Sequence, residues 1–244
     1  MKRSYSTIWA TLAILALAAS SAWAEEVKVD NSAPSGPGNG VQANCNLTGY
    51  KSEFQQLAGI GVPDNNAAGI TVGPIVVPAD GSLIADVIID LSMTHSWVGD
   101  VIVAIGYDEL CDGAVDAQSI VMCRPRGTQV AANAPCGAAT TGFGCAGDLT
   151  TASTLLFDDS AAAAVADGVC PNPIPAGCYK PSPQGGSPLA VFRNLRKGGC
   201  WYMNVSDRAG GDLGTLLSWS VHILNQTQIG VSQADWGTVK RLYN

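Results

Sequence analysis

Aspartates in turn-like sequence are the residues of this chain best suited to bind a metal ion. Asp158 and Asp159 are adjacent, and Asp207 and Asp212 flank a pair of glycines. Calcium takes about six to eight oxygen ligands, which carboxylates and backbone carbonyls supply. The predicted calcium ligands are Asp100, Asp158, Asp159, Asp207 and Asp212. The alternative is that these aspartates only accept backbone N–H groups in tight turns.

Loops that are distant in sequence can meet at one end of an antiparallel β-sandwich. In such a fold the turns that carry Asp158 and Asp207 can converge, with Asp100 completing a site. Carboxylates brought together without a cation would repel one another. Calcium is therefore the one cofactor that the sequence suggests.

The two histidines belong to no recognisable catalytic motif. His95 is followed by Ser96 and His222 by Ile223, and no Gly-x-Ser-x-Gly elbow occurs. A triad is defined by its geometry, so His95, Asp100 and a serine stay an alternative. The sequence predicts no catalytic residue: we expect His95 in a turn between strands and His222 on an outer sheet face.

The chain contains eight cysteines, an even number that in an exported protein indicates disulfides. A zinc site would need close pairs such as Cys-x-x-Cys. The tightest spacings are instead eight and nine residues. Those spacings favour the short loops Cys136–Cys145 and Cys170–Cys178, although about 105 connectivities are open to eight cysteines.

The first 24 residues have the pattern of a cleaved signal peptide. Lys2 and Arg3 precede an apolar run, and small residues follow it at Ala22 and Ala24. The alternative, a membrane anchor, would need an apolar run of about 20 residues, longer than the one present. We expect export to the cell exterior or surface, with no membrane span after cleavage.

Composition limits the partners. Removal of Lys2 and Arg3 with the signal peptide moves the net charge from −7 to −9. A protein that neutralises phosphates carries clustered Lys and Arg, so nucleic acid is not an expected partner. Residues 25–44 are rich in Gly, Pro and Ser and predict a flexible linker.

Residues 45–226 predict one all-β domain, because short apolar runs alternate with Gly, Pro, Asp and Asn. Strands are expected at Leu83–Leu91 and Val101–Ile105. A last strand should bury Leu217, Trp219, Val221 and Ile223 on one face. Residues 106–154 are expected to be a loop, and residues 161–166 could form one helical turn. Many short strands with Gly- and Pro-rich turns favour a two-sheet sandwich.

Eight short strings lie along this domain between residues 54 and 225, a span that covers most of the mature chain. They are Val62–Ile70 (VPDNNAAGI), His95–Val101 (HSWVGDV), Phe143–Asp148 (FGCAGD), Phe157–Ala161 (FDDSA), Tyr179–Pro181 (YKP), Pro188–Phe192 (PLAVF), Val205–Leu216 (VSDRAGGDLGTL) and Ser218–Val221 (SWSV). In their residues and in their order, these strings resemble the P domain, or Homo B domain, of kexin- and furin-like proprotein convertases. Cys111 and Cys200 depart from the family pattern.

The resemblance implies a jelly-roll β-sandwich that, in the family, follows a subtilisin-like catalytic domain and stabilises or positions it. This chain has neither a Gly-Thr-Ser nor a His-Gly-Thr string. The expected function is therefore a secreted non-catalytic module that binds or stabilises a separate subtilisin-like protease or a cell-surface component. The alternatives are a serine-type endopeptidase and a structural surface protein.

Residues 227–244 form a C-terminal tail that ends in an apolar pattern. Trp236, Val239, Leu242 and Tyr243 recur at helical spacing. The tail is expected to pack as a short helix on its own domain or to be recognised by a surface or export partner.

Overall fold

The computed structural model describes residues 45–125, 144–166, 169–181 and 188–226. The predicted signal peptide 1–24, linker 25–44 and tail 227–244 lie outside the described residues, as does Cys136. The described strands are β1 (Lys51–Val62), β2 (Asn66–Val77), β3 (Ile84–His95), β4 (Val101–Asp108), β5 (Ala117–Cys123), β6 (Thr154–Phe157), β7 (Gly177–Tyr179), β8 (Gly199–Asp207) and β9 (Gly214–Asn225). Two short 3-10 helices, Val98–Asp100 and Pro188–Phe192, complete these elements.

The strands form two sheets that pack face to face. One sheet has the order β1-β9-β3-β6-β7 and the other the order β2-β8-β4-β5. All neighbours are antiparallel except the short β6–β7 pair. This architecture confirms the predicted all-β sandwich.

Large aromatic side chains from both sheets fill the core. Trp201 of β8 and Trp219 of β9 are both fully buried. The Trp201 ring lies 4.8 Å from the Tyr107 ring and 5.0 Å from the Phe192 ring, measured between centroids. The indole N–H of Trp219 donates to Oε1 of Gln55 at 2.7 Å. Trp219 is thus a core residue, as the alternation in β9 predicts.

One face assignment in β9 is wrong by a residue. The pairing of β3 with β9 is regular from Asp86–Leu224 to Ser92–Ser218 and then shifts, so that Met93 pairs with Leu216. Leu216 joins the core, whereas Leu217 is only half-buried. Strict alternation predicts Leu217 in the core. Because Leu216 and Leu217 are the same residue type, the sequence does not reveal the β-bulge that places Leu216 there instead.

Two other local predictions differ from the structure. The predicted loop 106–154 contains β5, whose Val121 and Met122 are buried against the core. The stretch 161–166 forms no helix: Ala164 makes a parallel bridge with Lys180, and a turn follows at residues 165–166. β5 pairs with the preceding strand β4, and Ala164 pairs with Lys180. The periodicity of a single segment reveals neither pairing.

The disulfides join distant segments instead of closing short loops. The observed pairs are Cys45–Cys178, Cys111–Cys200 and Cys145–Cys170. The predicted pairs Cys136–Cys145 and Cys170–Cys178 are therefore wrong. The tertiary fold brings the Cα atoms of each observed pair to 5.1–5.4 Å, although 25 to 133 residues separate them in sequence.

No cysteine in the described part of the chain is free. This agrees with an oxidising compartment. Within the same residues, no helix is long and apolar enough to cross a membrane.

Candidate functional site

Four of the strings that carry the family resemblance meet at one end of the sandwich. The N–H of Val98 donates to the carbonyl of Gly147 at 2.9 Å. The N–H of Arg208 donates to the carbonyl of Asp100 at 2.9 Å. The loop after β8 is also attached to the first string, because Gly211 N donates to the carboxylate of Asp64 at 3.1 Å.

Two glycines allow two of these strings to touch through their backbones. Gly99 N donates to the carbonyl of Cys145 at 3.0 Å. A Cβ atom on Gly99 would clash with the backbone of Gly144, and one on Gly144 would clash with that of Gly99. Glycine at both positions is therefore required for this close approach.

Polar side chains are concentrated at the same place. We call this group the acidic junction; it consists of His95, Ser96, Asp100, Arg124, Asp207 and Asp212. Its centre is a buried contact between Nε2 of His95 and Oδ2 of Asp207 at 3.3 Å, with both side chains fully buried. Because β3 carries His95 and β8 carries Asp207, the contact joins the two sheets.

Asp100 is held by a cation at the edge of the junction. Its Oδ1 lies 3.3 Å from a terminal guanidinium nitrogen of Arg124. The Nε of the same arginine donates to the carbonyl of Gly99 at 3.1 Å. Burial raises the pKa of Asp100, Arg124 opposes that shift, and the carboxylates of Asp207 and Asp212 add to it. The three carboxylates therefore interact, and Arg124 neutralises part of their charge.

The histidine of the junction has no nitrogen available for catalysis. Nδ1 of His95 accepts the backbone N–H of Trp97 at 3.1 Å. The proton must therefore lie on Nε2, which donates to Asp207. Ser96 does not contact the ring, because its hydroxyl donates to Oδ1 of Asp212 at 2.9 Å. His95 ends β3 in the interior rather than lying in a turn, and its interactions resemble those of a structural residue.

The second histidine lies on the outer face of its sheet, as predicted, but it is buried there. Nδ1 of His222 lies 2.6 Å from the hydroxyl oxygen of Ser52, which is exposed. Nε2 of His222 is buried without a hydrogen-bond partner, and burial lowers the His222 pKa to about 4. A triad orients its histidine and stabilises the imidazolium with a carboxylate. Ser52 and His222 lack that third member among the described residues.

The structure divides the predicted calcium ligands between two places. Asp207 contacts His95 at the end of β3, whereas Asp158 follows Phe157, which pairs with Ile89. Six residues of strand at roughly 3.3 Å each separate these points by about 20 Å. Asp100, Asp207 and Asp212 share one location, and Asp158 and Asp159 share another.

One group of three metal-ligating side chains occurs among the described residues, and it does not suit a metal ion. Cys45, Asp158 and Cys178 place their ligand atoms within 4.8 Å of one another. The two sulfurs, however, form a disulfide with each other. Metal ions bind thiolates, which an oxidised pair does not provide.

Three more of the resemblance strings meet around Asp158 and Asp159. Asp158 N donates to the carbonyl of Tyr179 at 2.9 Å, and Oδ1 of Asp159 accepts the N–H of Leu189 at 3.1 Å. Arg193 binds this group from outside, at 2.9 Å from Asp86 and 3.8 Å from Asp159. These contacts attach the 3-10 helix Pro188–Phe192 to the edge of the first sheet.

Tyr50 joins the group around Asp158 and Asp159 from the N-terminal side of the domain. Its hydroxyl donates to Oδ2 of Asp86 at 2.7 Å. Burial and the bond to Asp86 raise the pKa of the Tyr50 hydroxyl. A pocket of about 440 Å³ opens beside this tyrosine. Its lining consists of Cys45, Asn46, Thr48, Tyr50, Asp158, Ser160, Ala161, Cys178 and Leu224.

The distant structural neighbours of this chain include two structures of a serine protease. One is the crystal structure of a serine protease of Aeromonas sobria in complex with a chaperone, and the other is the structure of the same organism's serine protease alone. Their TM-scores are 0.40 and 0.39, at 11% sequence identity. The match covers 72% of this chain and 26% of either neighbour. No family model and no curated protein matches the sequence.

The sequence did not indicate the partners of the acidic junction or of the group around Asp158 and Asp159. Arg124, Tyr50 and Asp86 were not expected at any site, and the pairing of His95 with Asp207 was not anticipated. The available signal was that His95 and Asp207 both lie in strings that resemble one family. Their contact across the two sheets gives a physical reason for those strings to occur together.

Proposed function

We propose that this chain is a secreted, non-catalytic P-domain-like module that binds or stabilises a separate subtilisin-like protease or a cell-surface component. The observation that carries this proposal is the buried contact between His95 and Asp207. Both residues lie in the strings that resemble P domains, and together they join the two sheets. This contact and the bond from the backbone N–H of Trp97 together commit both nitrogens of His95 to hydrogen bonds inside the domain.

The chemistry of the remaining candidate residues supports a non-catalytic role. A general base must accept a proton and be stabilised once it has done so. His222 is buried, its pKa is lowered to about 4, and its Nε2 has no acceptor. Ser52 therefore lacks an effective base, although its hydroxyl is exposed.

Activity-based labelling tests the non-catalytic part of the proposal. The mature chain is treated with a fluorophosphonate probe beside an active subtilisin-like protease as the positive control. We expect no labelling of the chain, in the wild type or in Ser52→Ala. Labelling of one serine, lost when that serine becomes alanine, would favour the endopeptidase alternative instead.

A protease-survival assay tests the accessory part. Subtilisin-like proteases secreted by the same organism are incubated with the folded mature chain, and with reduced, alkylated chain as a control of equal composition. We expect one protease to keep its activity longer with the folded chain only, and the effect to saturate near one chain per protease. If the folded chain instead forms regular polymers and leaves every protease unaffected, the structural surface protein is the better assignment.

A further inference from the structure

We propose that the pocket beside the Cys45–Cys178 disulfide binds a single organic cation, a primary ammonium or guanidinium group such as ends a lysine or arginine side chain. We call it the Asp158 pocket; it is the cavity of about 440 Å³ beside Tyr50. It lies about 20 Å along β3 from the acidic junction, and the inference does not depend on the proposed function.

A buried carboxylate without an ion-pair partner is the first reason. Asp158 is only 6% exposed and lines the pocket. Its Oδ1 accepts the N–H of Ser160 at 2.7 Å, and Asp158 belongs to none of the ion pairs of the described residues. Buried charges normally have an ion partner, because an unpaired one is costly to remove from water. A ligand cation would be that partner.

The charge around the pocket is the second reason. Three carboxylates lie in this region: Asp86 and Asp158 are near Tyr50, and Asp159 follows Asp158 in the chain. Arg193 is a cation that contacts this group. Arg193 contacts Asp86 and Asp159, and in the described part of the chain no ion pair joins it to Asp158. The negative charge of Asp158 is therefore left facing the pocket.

The shape and lining of the pocket favour an organic cation over a metal ion. Asp158 is the one carboxylate in the lining, and the sulfurs are oxidised, so a divalent ion would find few ligands. Ala161, Leu224 and the disulfide supply an apolar wall for methylene groups. The exposed residues Asn46, Thr48 and Ser160 form a polar rim that can accept further N–H donors.

A volume of about 440 Å³ exceeds what an ammonium ion alone requires. It is within the range of sites that hold small organic molecules, roughly 300 to 1,000 Å³. A lysine- or arginine-sized group therefore fits the pocket, with its charge on Asp158 and its stem on the apolar wall.

Titration of isotope-labelled mature chain tests the proposal. The probes are n-butylamine, methylguanidine and Nα-acetyl-lysine amide, with Nα-acetyl-norleucine amide as the uncharged control. We expect saturable shifts of the Thr48 and Ser160 amide signals with the cations and none with norleucine. Equal binding of butylamine and acetyl-lysine amide would assign the site to free amines, and tighter binding of acetyl-lysine amide to a peptide side chain. Both results support a cation site.

Two matched variants make the result specific. Asp158→Asn keeps an acceptor for Ser160 N–H and removes the charge, so affinity should fall about tenfold or more. Asp112→Asn is the control, since Asp112 accepts the N–H two residues later in the same way but is exposed. Its affinity should equal that of the wild type.

A third variant covers the case in which Asp158→Asn fails to fold. Ser160→Lys changes an exposed rim residue and tethers an ammonium beside Asp158, so it should abolish binding of added amine. Unchanged binding in a folded Asp158→Asn or in Ser160→Lys, or no saturable shift in the wild type, would overturn the proposal.

Discussion

Nε2 of His95 lies 3.3 Å from Oδ2 of Asp207 in the interior of the sandwich, although 112 residues separate the two in sequence. The contact connects the end of β3 in one sheet to the end of β8 in the other. Asp207 also accepts the N–H of Ala209 through Oδ1 at 3.0 Å. The carboxylate therefore uses both oxygens, and an amide in its place cannot accept both bonds.

We expect Asp207→Asn to lower the free energy of unfolding by about 1 to 3 kcal/mol, because a buried donor loses its acceptor. Urea denaturation of the variant and the wild type measures this difference. Asp112→Asn, at an exposed turn, should change stability by no more than about 0.5 kcal/mol. An Asp207→Asn variant as stable as the control would mean that the pair does not hold the sheets together.

Gly99→Ala should destabilise the domain by about 1 to 3 kcal/mol, because the new Cβ would meet the backbone of Gly144. Gly61→Ala is the matched control, since a Cβ at Gly61 meets no atom within 4 Å. Thermal and urea unfolding should leave Gly61→Ala near or slightly above the wild type. Equal losses in the two variants would argue against a special close approach at Gly99.

Trp219→Ala should cost about 3 to 5 kcal/mol, because it removes a fully buried ring from a packed core. Trp219→Phe keeps an aromatic ring and loses the bond to Gln55, so its cost should be smaller. Thermal unfolding measures both. An unchanged midpoint in Trp219→Ala would contradict the assigned register of β9.

Asp90→Asn should stabilise the domain at neutral pH. Burial raises the Asp90 pKa from 3.8 to about 6. The folded state therefore binds this proton more tightly than the unfolded state, and the stability it contributes below pH 3.8 is lost as the pH rises through about 6. Removing the charge should raise the free energy of unfolding by roughly 1 to 3 kcal/mol at pH 7, with little gain at pH 4.

Urea denaturation at the two pH values tests this prediction as a difference between variant and wild type. The difference is needed because His222 titrates in the same range with the opposite sign. Its pKa falls from 6.5 to about 4, so its contribution is present above pH 6.5 and is lost as the pH falls through about 4. A gain of equal size at pH 7 and pH 4 would show that Asp90 does not carry the expected shift.

Calcium binding stays a prediction of the sequence. The structure separates the predicted calcium ligands into two groups. Asp100 and Asp212 share the acidic junction, whereas Asp159 lies about 20 Å away along β3. We expect a calcium-dependent rise in Tm that disappears in Asp212→Asn and persists in Asp159→Asn. Melting in calcium and then in chelator measures it. No shift in the wild type at millimolar calcium would end the calcium hypothesis.

The sequence alone was enough to predict the sandwich and part of its core. The alternation that places Trp219, Val221 and Ile223 on one face is a local property of an extended chain, because successive side chains point to opposite faces. The same alternation places Val87, Ile89 and Leu91 of β3 in the core. It fails at Leu217, where a bulge changes the register without a sequence signal.

The tertiary structure alone decided which distant residues meet. Cys45 pairs with Cys178 across 133 residues, although loop length favoured closer partners. Sheet order and packing likewise bring Asp207 to His95 and place Asp158 beside Tyr50 in a pocket. These contacts depend on how strands pair and on how the two sheets face each other, and no property of a single segment specifies either.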